Sequence, residues 1–333
     1  MKGASRRSGI GRRLAVIHQG ALGDFLLTLP VLEGFHETDP EVCIDLWCRS
    51  EFGSLLAGKP YLRSVHSSDG SALTPFYHDQ LWEKAVLPAS LSEADTLFLF
   101  GQASSKVLAD RLARRCRGSV HWIQSFPGPD VHQSVVEFLA DQLRPLGWPF
   151  CVGIPRIDPP QPEKQTVRRW IKTHGGENGG KPIFIHPGSG GLKKVWPLKR
   201  WWSLLGWLFR IKAGPVIVIT GPADAALREF PQAARRWGCH HLEQPSLVSL
   251  AAFLGESRFY CGNDSGASHL AAVVGAPSIV IFGPTNPEVW APRGPHVRIF
   301  QDYWKEEEVL DWSETTIPSD PPSALTDLIL QIT

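Results

Sequence analysis

Eight short apolar runs, rich in β-branched and aromatic residues, alternate with stretches of helical periodicity, and this alternation confines the chain to covered parallel sheets. In the first half the runs are LAVIH (14–18), VCIDLWC (42–48), DTLFLF (95–100) and SVHWIQ (119–124), with helices expected over 25–37, 104–116 and 131–145. In the second half they are PIFIH (182–186), PVIVITG (215–221), RFYCGN (258–263) and PSIVIFG (277–283). Helices are expected between and after them, over 198–212, 223–237, 246–255 and 267–274. Strands that are apolar throughout are buried on both faces, and helical crossovers supply that cover. Two such series predict an α/β protein of two doubly wound Rossmann-like domains, and 333 residues suffice for two cores at about 150 residues each.

Pro155, Pro159, Pro160 and Pro162 stop helix and sheet alike, so a linker is expected at about 155–165. The expected domains are 1–155 and 166–305, followed by a segment 306–333 whose stretch 320–332 reads as a proline-started helix with an apolar face. Tandem domains of this kind should face a central cleft. Ligands of such sheets sit beyond the carboxyl ends of the strands, so chemistry is sought in the loops that follow them.

Charge and cysteine usage narrow the function. A net charge of +1 argues against general nucleic-acid binding. Residues 1–13 carry Lys2, Arg6, Arg7, Arg12 and Arg13 and no acid, which suits either a solvated tail or a contact with anionic lipid headgroups. The six cysteines show no Cys-x-x-Cys pair and no zinc spacing, and are expected as reduced thiols. No apolar run reaches the ~18 residues of a membrane span, and LAVIH is too short for a signal peptide, so a cytoplasmic protein is expected.

Several motifs can be set aside. GGENGGKP (175–182) nearly spells a P-loop, but Pro182 stands where a hydroxyl must bind magnesium, and the loop precedes its strand. No Gly-x-Gly-x-x-Gly follows a strand and no Asp-x-Asp occurs, so neither a nicotinamide cofactor nor a bound metal is expected.

Three loops remain. In VIHQGALGDFLLTLP (16–30), Gly20 and Gly23 permit tight turning, and Asp24 opens a helix as a simple cap or as a carboxylate presented for proton transfer. In IHPGSGGLKKVWPLKRW (185–201), Gly188 and its neighbours expose main-chain amides while Lys193 and Lys194 bring positive charge, an arrangement suited to anions. In GNDSGASHLAAVVGAPSIVIFGPT (262–285), Asp264 or Ser265 caps a helix whose N-terminus suits a phosphate, with Gly266 leaving room for its approach. His269 is either a core histidine or a group that positions Asp264 or a diphosphate. Together the loops describe a site for a nucleoside diphosphate joined to something rich in hydroxyls.

GALGDFLLTLP, HPGSGGLKKVWP and NDSGASHLAAVVGAPSIVIFGPT, in that order across residues 16–290, resemble glycosyltransferase family 9, the ADP-heptose:lipopolysaccharide heptosyltransferases. The resemblance implies a GT-B fold with the C-terminal helix crossing back to the first domain. It also implies inverting transfer of a heptose or similar sugar from an ADP-sugar to a lipopolysaccharide-core or other envelope glycan, without metal or other cofactor. It implies Asp24 as general base, Lys194 as the diphosphate lysine, Asp264 near the donor sugar, Ser265 and Gly266 as the main-chain cradle, and His269 as the matching histidine. Gly188 and Ser189 fall in the glycine loop, and Asp224 becomes a ribose contact. The partners implied are a nucleotide-sugar donor and a glycolipid or glycan acceptor; peripheral contact at the inner face of the cytoplasmic membrane is the expectation that the basic residues 1–13 leave open beside a solvated tail. The chain departs from the family where Ser265 replaces a common threonine, where 301–312 lacks cysteines, and over 50–150, which carries no matching motif. A GT-B-like sugar-nucleotide epimerase and a catalytically silent binding scaffold are the alternative readings.

Overall fold

Seven of the apolar runs become the interior strands of two parallel sheets, and SVHWIQ becomes an edge strand. The computed structural model describes residues 11–149, 151–174, 180–315 and 318–332. Contacts divide the chain into two units, Met1–Pro155 and Arg156–Thr333. The first holds β1 (Arg13–His18), β2 (Cys43–Cys48), β3 (Leu62–Ser67), β4 (Thr96–Gly101) and β5 (Ser119–Gln124), in the order β3-β2-β1-β4-β5. The second holds β6 (Ile183–His186), β7 (Val216–Thr220), β8 (His240–Glu243), β9 (Phe259–Asn263), β10 (Ser278–Phe282) and β11 (Val297–Gln301), in the order β11-β10-β9-β6-β7-β8. All neighbours pair parallel.

Both orders reverse direction beside their first strand, between β1 and β4 and between β6 and β9. That reversal is the topological switch point of a doubly wound sheet, where the loops leaving the two strands diverge and open a crevice. It places the loops after β1, β6 and β9 where a ligand has room.

Three strands were not expected from the sequence, β3, β8 and β11, and each lies at a sheet edge. Edge strands carry polar and half-exposed side chains, as in LRSVHS and HHLE, so they show no continuous apolar run. The helix Gln161–His174 begins inside the stretch expected as linker. Pro162 sits in its first turn, where the missing N–H has no helical acceptor to lose, so the proline is tolerated there. The expected helix 223–237 is a 3₁₀ stretch, Pro222–Leu227, followed by the α-helix Glu229–Arg236.

Each unit has its own core. Ala15, Ile17, Leu97 and Leu99 pack with Leu108 and Leu112 in the first. Trp196, Trp201 and Trp202 pack with Ile183, Val218 and Ile281 in the second. The final helix Ser323–Ile332 places Leu325 and Ile329 in that second core. All six cysteines are free. Of the basic N-terminal residues, Arg12 pairs with Asp39 at 2.8 Å and Arg13 with Glu93 at 2.7 Å. Lys2, Arg6, Arg7 and residues 175–179 of the glycine-rich stretch lie outside the described residues. Among the described residues no helix is long and apolar enough to cross a membrane.

Candidate functional site

In the first unit, β1 ends at His18 and the helix Leu22–Thr38 begins three residues after Gln19. Asp24 therefore stands at the third position of the first turn, and caps the helix from there and not from the N-cap position. Its carboxylate Oδ2 accepts from the Ala21 N–H at 3.0 Å and lies where the helix dipole favours negative charge. Asp24 remains partly exposed. Gly20 is demanded by close approach: a Cβ there would lie 2.7 Å from Asp24 Cβ and 2.9 Å from His18 Cε1.

His18 itself is buried. Its Nδ1 accepts from the Gly20 N–H at 3.3 Å, while Nε2 has no hydrogen-bond partner among the described residues. Burial lowers its pKa to about 4, opposed by the main chain of Asp24 and aided by the charge of Arg49. The imidazole beside Asp24 is thus neutral near pH 7.

In the second unit the loops leaving β6 and β9 are sewn together at the switch point. Asn263, fully buried at the end of β9, donates through Nδ2 to the Pro187 carbonyl at 2.7 Å and accepts through Oδ1 from the Trp196 N–H at 3.1 Å. This fixes the loop Pro187–Trp196, so Lys194 reaches back over β9. Its Nζ donates to Asp264 Oδ2 at 2.7 Å, and Thr285 Oγ1 donates to the same oxygen at 2.7 Å. Asp264 Oδ1 accepts no hydrogen bond among the described residues. Ser189 is occupied, its hydroxyl donating to the Asp264 carbonyl at 2.8 Å. His269 is buried one turn into the helix Gly266–Val273, and no hydrogen bond reaches its ring among the described residues. Burial lowers its pKa to about 4, with Asp264 opposing and Lys194 assisting.

Ser265 occupies the N-cap position of that helix in extended backbone conformation, yet its side chain caps nothing. Its Oγ lies 3.3 Å from His186 Nδ1. The other ring nitrogen, His186 Nε2, is 3.1 Å from Asp224 Oδ2. Asp224 also accepts from the Gly221 N–H at 2.6 Å and is buried. A Cβ on Gly188 would fall 1.9 Å from Asp224 Oδ1, so only glycine fits.

The structure thus brings together Gly188, Ser189, Lys194, Asp224, Asp264, Ser265, Gly266 and His269 in the second unit, and places Asp24 at the matching position of the first. Sequence reasoning did not assign His18, His186, Asn263 or Thr285. The available signal was their position: each is the last residue of a strand flanking a switch point, or follows β10 within FGPT. Among the described residues no three His, Cys, Asp or Glu side chains group as metal ligands.

An ammonium and an uncapped helix N-terminus thus meet at the switch point of a doubly wound α/β unit. Residues 157–314 match the model of glycosyltransferase family 9 (heptosyltransferase). The lipopolysaccharide heptosyltransferase 3 of Escherichia coli is 24% identical over 305 residues, covering 81% of this chain and 83% of that one. The glycosyl transferase family 9 structure from Veillonella parvula shares the fold with a TM-score of 0.73 at 16% identity, over 96% of this chain and 98% of that one. The E. coli heptosyltransferase WaaC with ADP does so with a TM-score of 0.63 at 17% identity, over 96% and 100%. Residues 157–314 thus carry the glycosyltransferase family 9 match, and the fold is that of a GT-B glycosyltransferase.

Proposed function

We propose that the chain is an inverting, metal-independent heptosyltransferase that moves a heptose or similar sugar from an ADP-sugar to a hydroxyl of a lipopolysaccharide-core or other envelope glycan. The observation that carries this reading is Lys194 bonded to Asp264 beside the uncapped start of the helix Gly266–Val273. That arrangement offers a diphosphate both an ammonium and main-chain amides. The free Oδ1 of Asp264 is left to accept from a sugar hydroxyl. The heptosyltransferase name of the E. coli relative and the ADP of the WaaC structure support the choice of sugar and base.

In this reading the Asp24 carboxylate takes the proton of the acceptor hydroxyl. The freed oxygen attacks the anomeric carbon from the face opposite the diphosphate. The bond from that carbon to the diphosphate oxygen breaks, and the departing ADP carries away the electron pair. Lys194 and the amides after Ser265 balance the charge that develops there. The acceptor is a glycolipid or glycan met at the inner face of the cytoplasmic membrane. Gly188 and Ser189 shape the loop, Gly266 gives the diphosphate room, and His269 backs Asp264. Asp224, tied to His186, supports the ribose side of the pocket.

The test is thermal unfolding in EDTA with ADP, UDP, GDP or CDP, for the wild type and Lys194→Ala. A ligand at 100 times its Kd adds about 2.7 kcal/mol, which such a scan resolves. Stabilisation by ADP above the others, lost in Lys194→Ala, is the expected result. Preference for UDP moves the sugar assignment, and stabilisation that requires added metal overturns metal independence.

A further inference from the structure

His186 is held at both ring nitrogens near the diphosphate site, yet the proposed reaction gives it no role beyond tying Asp224. It ends β6 and is buried, with both ring nitrogens engaged. The Asp224 carboxylate can only accept, so Nε2 carries the hydrogen, and Nδ1 is left to accept the hydroxyl proton of Ser265. Asp224 is held in turn by the Gly221 N–H and seated on the bare Cα of Gly188. Three loops, after β6, β7 and β9, therefore converge on the orientation of one hydroxyl.

A serine in the N-cap position ordinarily turns its hydroxyl onto an amide of its own first turn. Ser134 does so toward the Glu137 N–H, and Ser246 toward the Ser249 N–H. Ser265 does not. Its hydroxyl is drawn sideways onto His186 and Tyr260, the Ser268 N–H donates to the Ser265 carbonyl at 3.1 Å, and the Gly266 and Ala267 amides receive no side-chain cap. Within the same pocket His269 is buried, with no hydrogen bond to its ring among the described residues, beside Lys194 and Asp264.

We propose that His186, locked by Asp224, is a positioning residue that holds the Ser265 hydroxyl off its own helix so that the Gly266 and Ala267 amides are available to the donor diphosphate. This rests on the reading of the site as a diphosphate site. His186 touches neither donor nor acceptor; it acts through Ser265.

The experiment compares Kd for ADP and for inorganic pyrophosphate, by calorimetry, in wild type, His186→Gln, His186→Asn, Ser265→Ala and the double variant H186Q/S265A. Glutamine reaches the place of Nε2, keeping the Asp224 bond and releasing Ser265; asparagine reaches the place of Nδ1 and does the reverse. Losing a hydrogen bond to a charged group corresponds to about tenfold or more in affinity, so H186Q is expected to bind both probes about tenfold more weakly. H186N is expected to keep most of the affinity, and H186Q is expected to add nothing once Ser265 is alanine. The same loss in both backgrounds, or a tenfold loss in H186N, means a general structural role and overturns the proposal. H186N also keeps the test readable if H186Q does not fold. If wild type binds pyrophosphate with this pattern but not ADP, the positioning role stands and the nucleotide assignment falls. If wild type binds neither, both fall.

Discussion

The two sheets begin alike and end their first strands differently. β1 closes on Ile17-His18 and β6 on Ile185-His186, and two residues after each histidine stands a glycine pressed against an aspartate. Gly20 meets Asp24 and Gly188 meets Asp224. There the likeness stops. His186 uses both nitrogens, and its aspartate is buried and bonded to it. His18 leaves Nε2 without a hydrogen-bond partner among the described residues, and its aspartate is partly exposed. One architectural position can therefore carry a fixed polar cradle or an accessible carboxylate. In the second unit the histidine is bonded to the carboxylate.

The sharpest way to break the comparison is to neutralise each aspartate. Asp24→Asn removes the proton acceptor, and kcat is expected to fall by about 10²–10⁴ with the Kd for ADP unchanged. Asp224→Asn is expected to act the other way, weakening ADP more than it slows turnover. Steady-state kinetics with direct binding separates the two, and near-full activity in Asp24→Asn would falsify the base assignment.

The next effect is on stability in acid. His18 and His269 have folded pKa values lowered to about 4, against 6.5 for a free histidine. The unfolded chain therefore takes up protons first as pH falls below about 6.5, and folded stability drops until the native histidines also protonate near 4. A shift of that size corresponds to about 3 kcal/mol for each, one in each unit. The stability is present above about pH 6.5 and is lost on the way down to about 4. Urea unfolding across that range, repeated with His18→Gln, checks it. The variant should lose part of the acid sensitivity, and an unchanged slope would mean His18 is not neutral in the fold.

How much of this was legible beforehand follows a physical line. Interior strands announce themselves, because burial on both faces demands unbroken apolar runs, as in LFLF of β4 and IVIF of β10; the edge strand SVHWIQ was legible through its β-branched and aromatic residues. β3, β8 and β11 need only half that cover and hid among polar residues. The helix Gln161–His174 hid for a related reason: Val167 is its one fully buried side chain among those described, so it shows little apolar stripe to read. At the site, charge offered Lys193 and Lys194 alike, and only the resemblance singled out Lys194; the structure pairs Lys194 with Asp264. His186 was not legible, because its meaning lies in partners 38 and 79 residues away, and only the sheet order brings Asp224 and Ser265 to it. Thr285 was invisible for the same reason, reaching Asp264 from the end of β10.

The smallest predicted effects come from the two glycines, and they sharpen the comparison most. On Gly188 an added methyl would sit 1.9 Å from Asp224 Oδ1, so the carboxylate must leave and take its bond to His186 with it. Overpacking of this kind costs about 1–3 kcal/mol, and Gly188→Ala should lower Tm and weaken ADP together. On Gly20 the nearest atoms are 2.7 Å away, on a side chain in the first turn of a helix that has solvent beside it. Asp24 can yield there by a small rotation, so Gly20→Ala should cost less stability. It should instead lower kcat while leaving ADP binding intact, because what moves is the proposed base and not the cradle. If both alanines weaken ADP equally, the two aspartates do not divide the work as proposed. If Gly20→Ala slows turnover and Gly188→Ala loosens the donor, one glycine–aspartate contact has been put to two uses in a single chain.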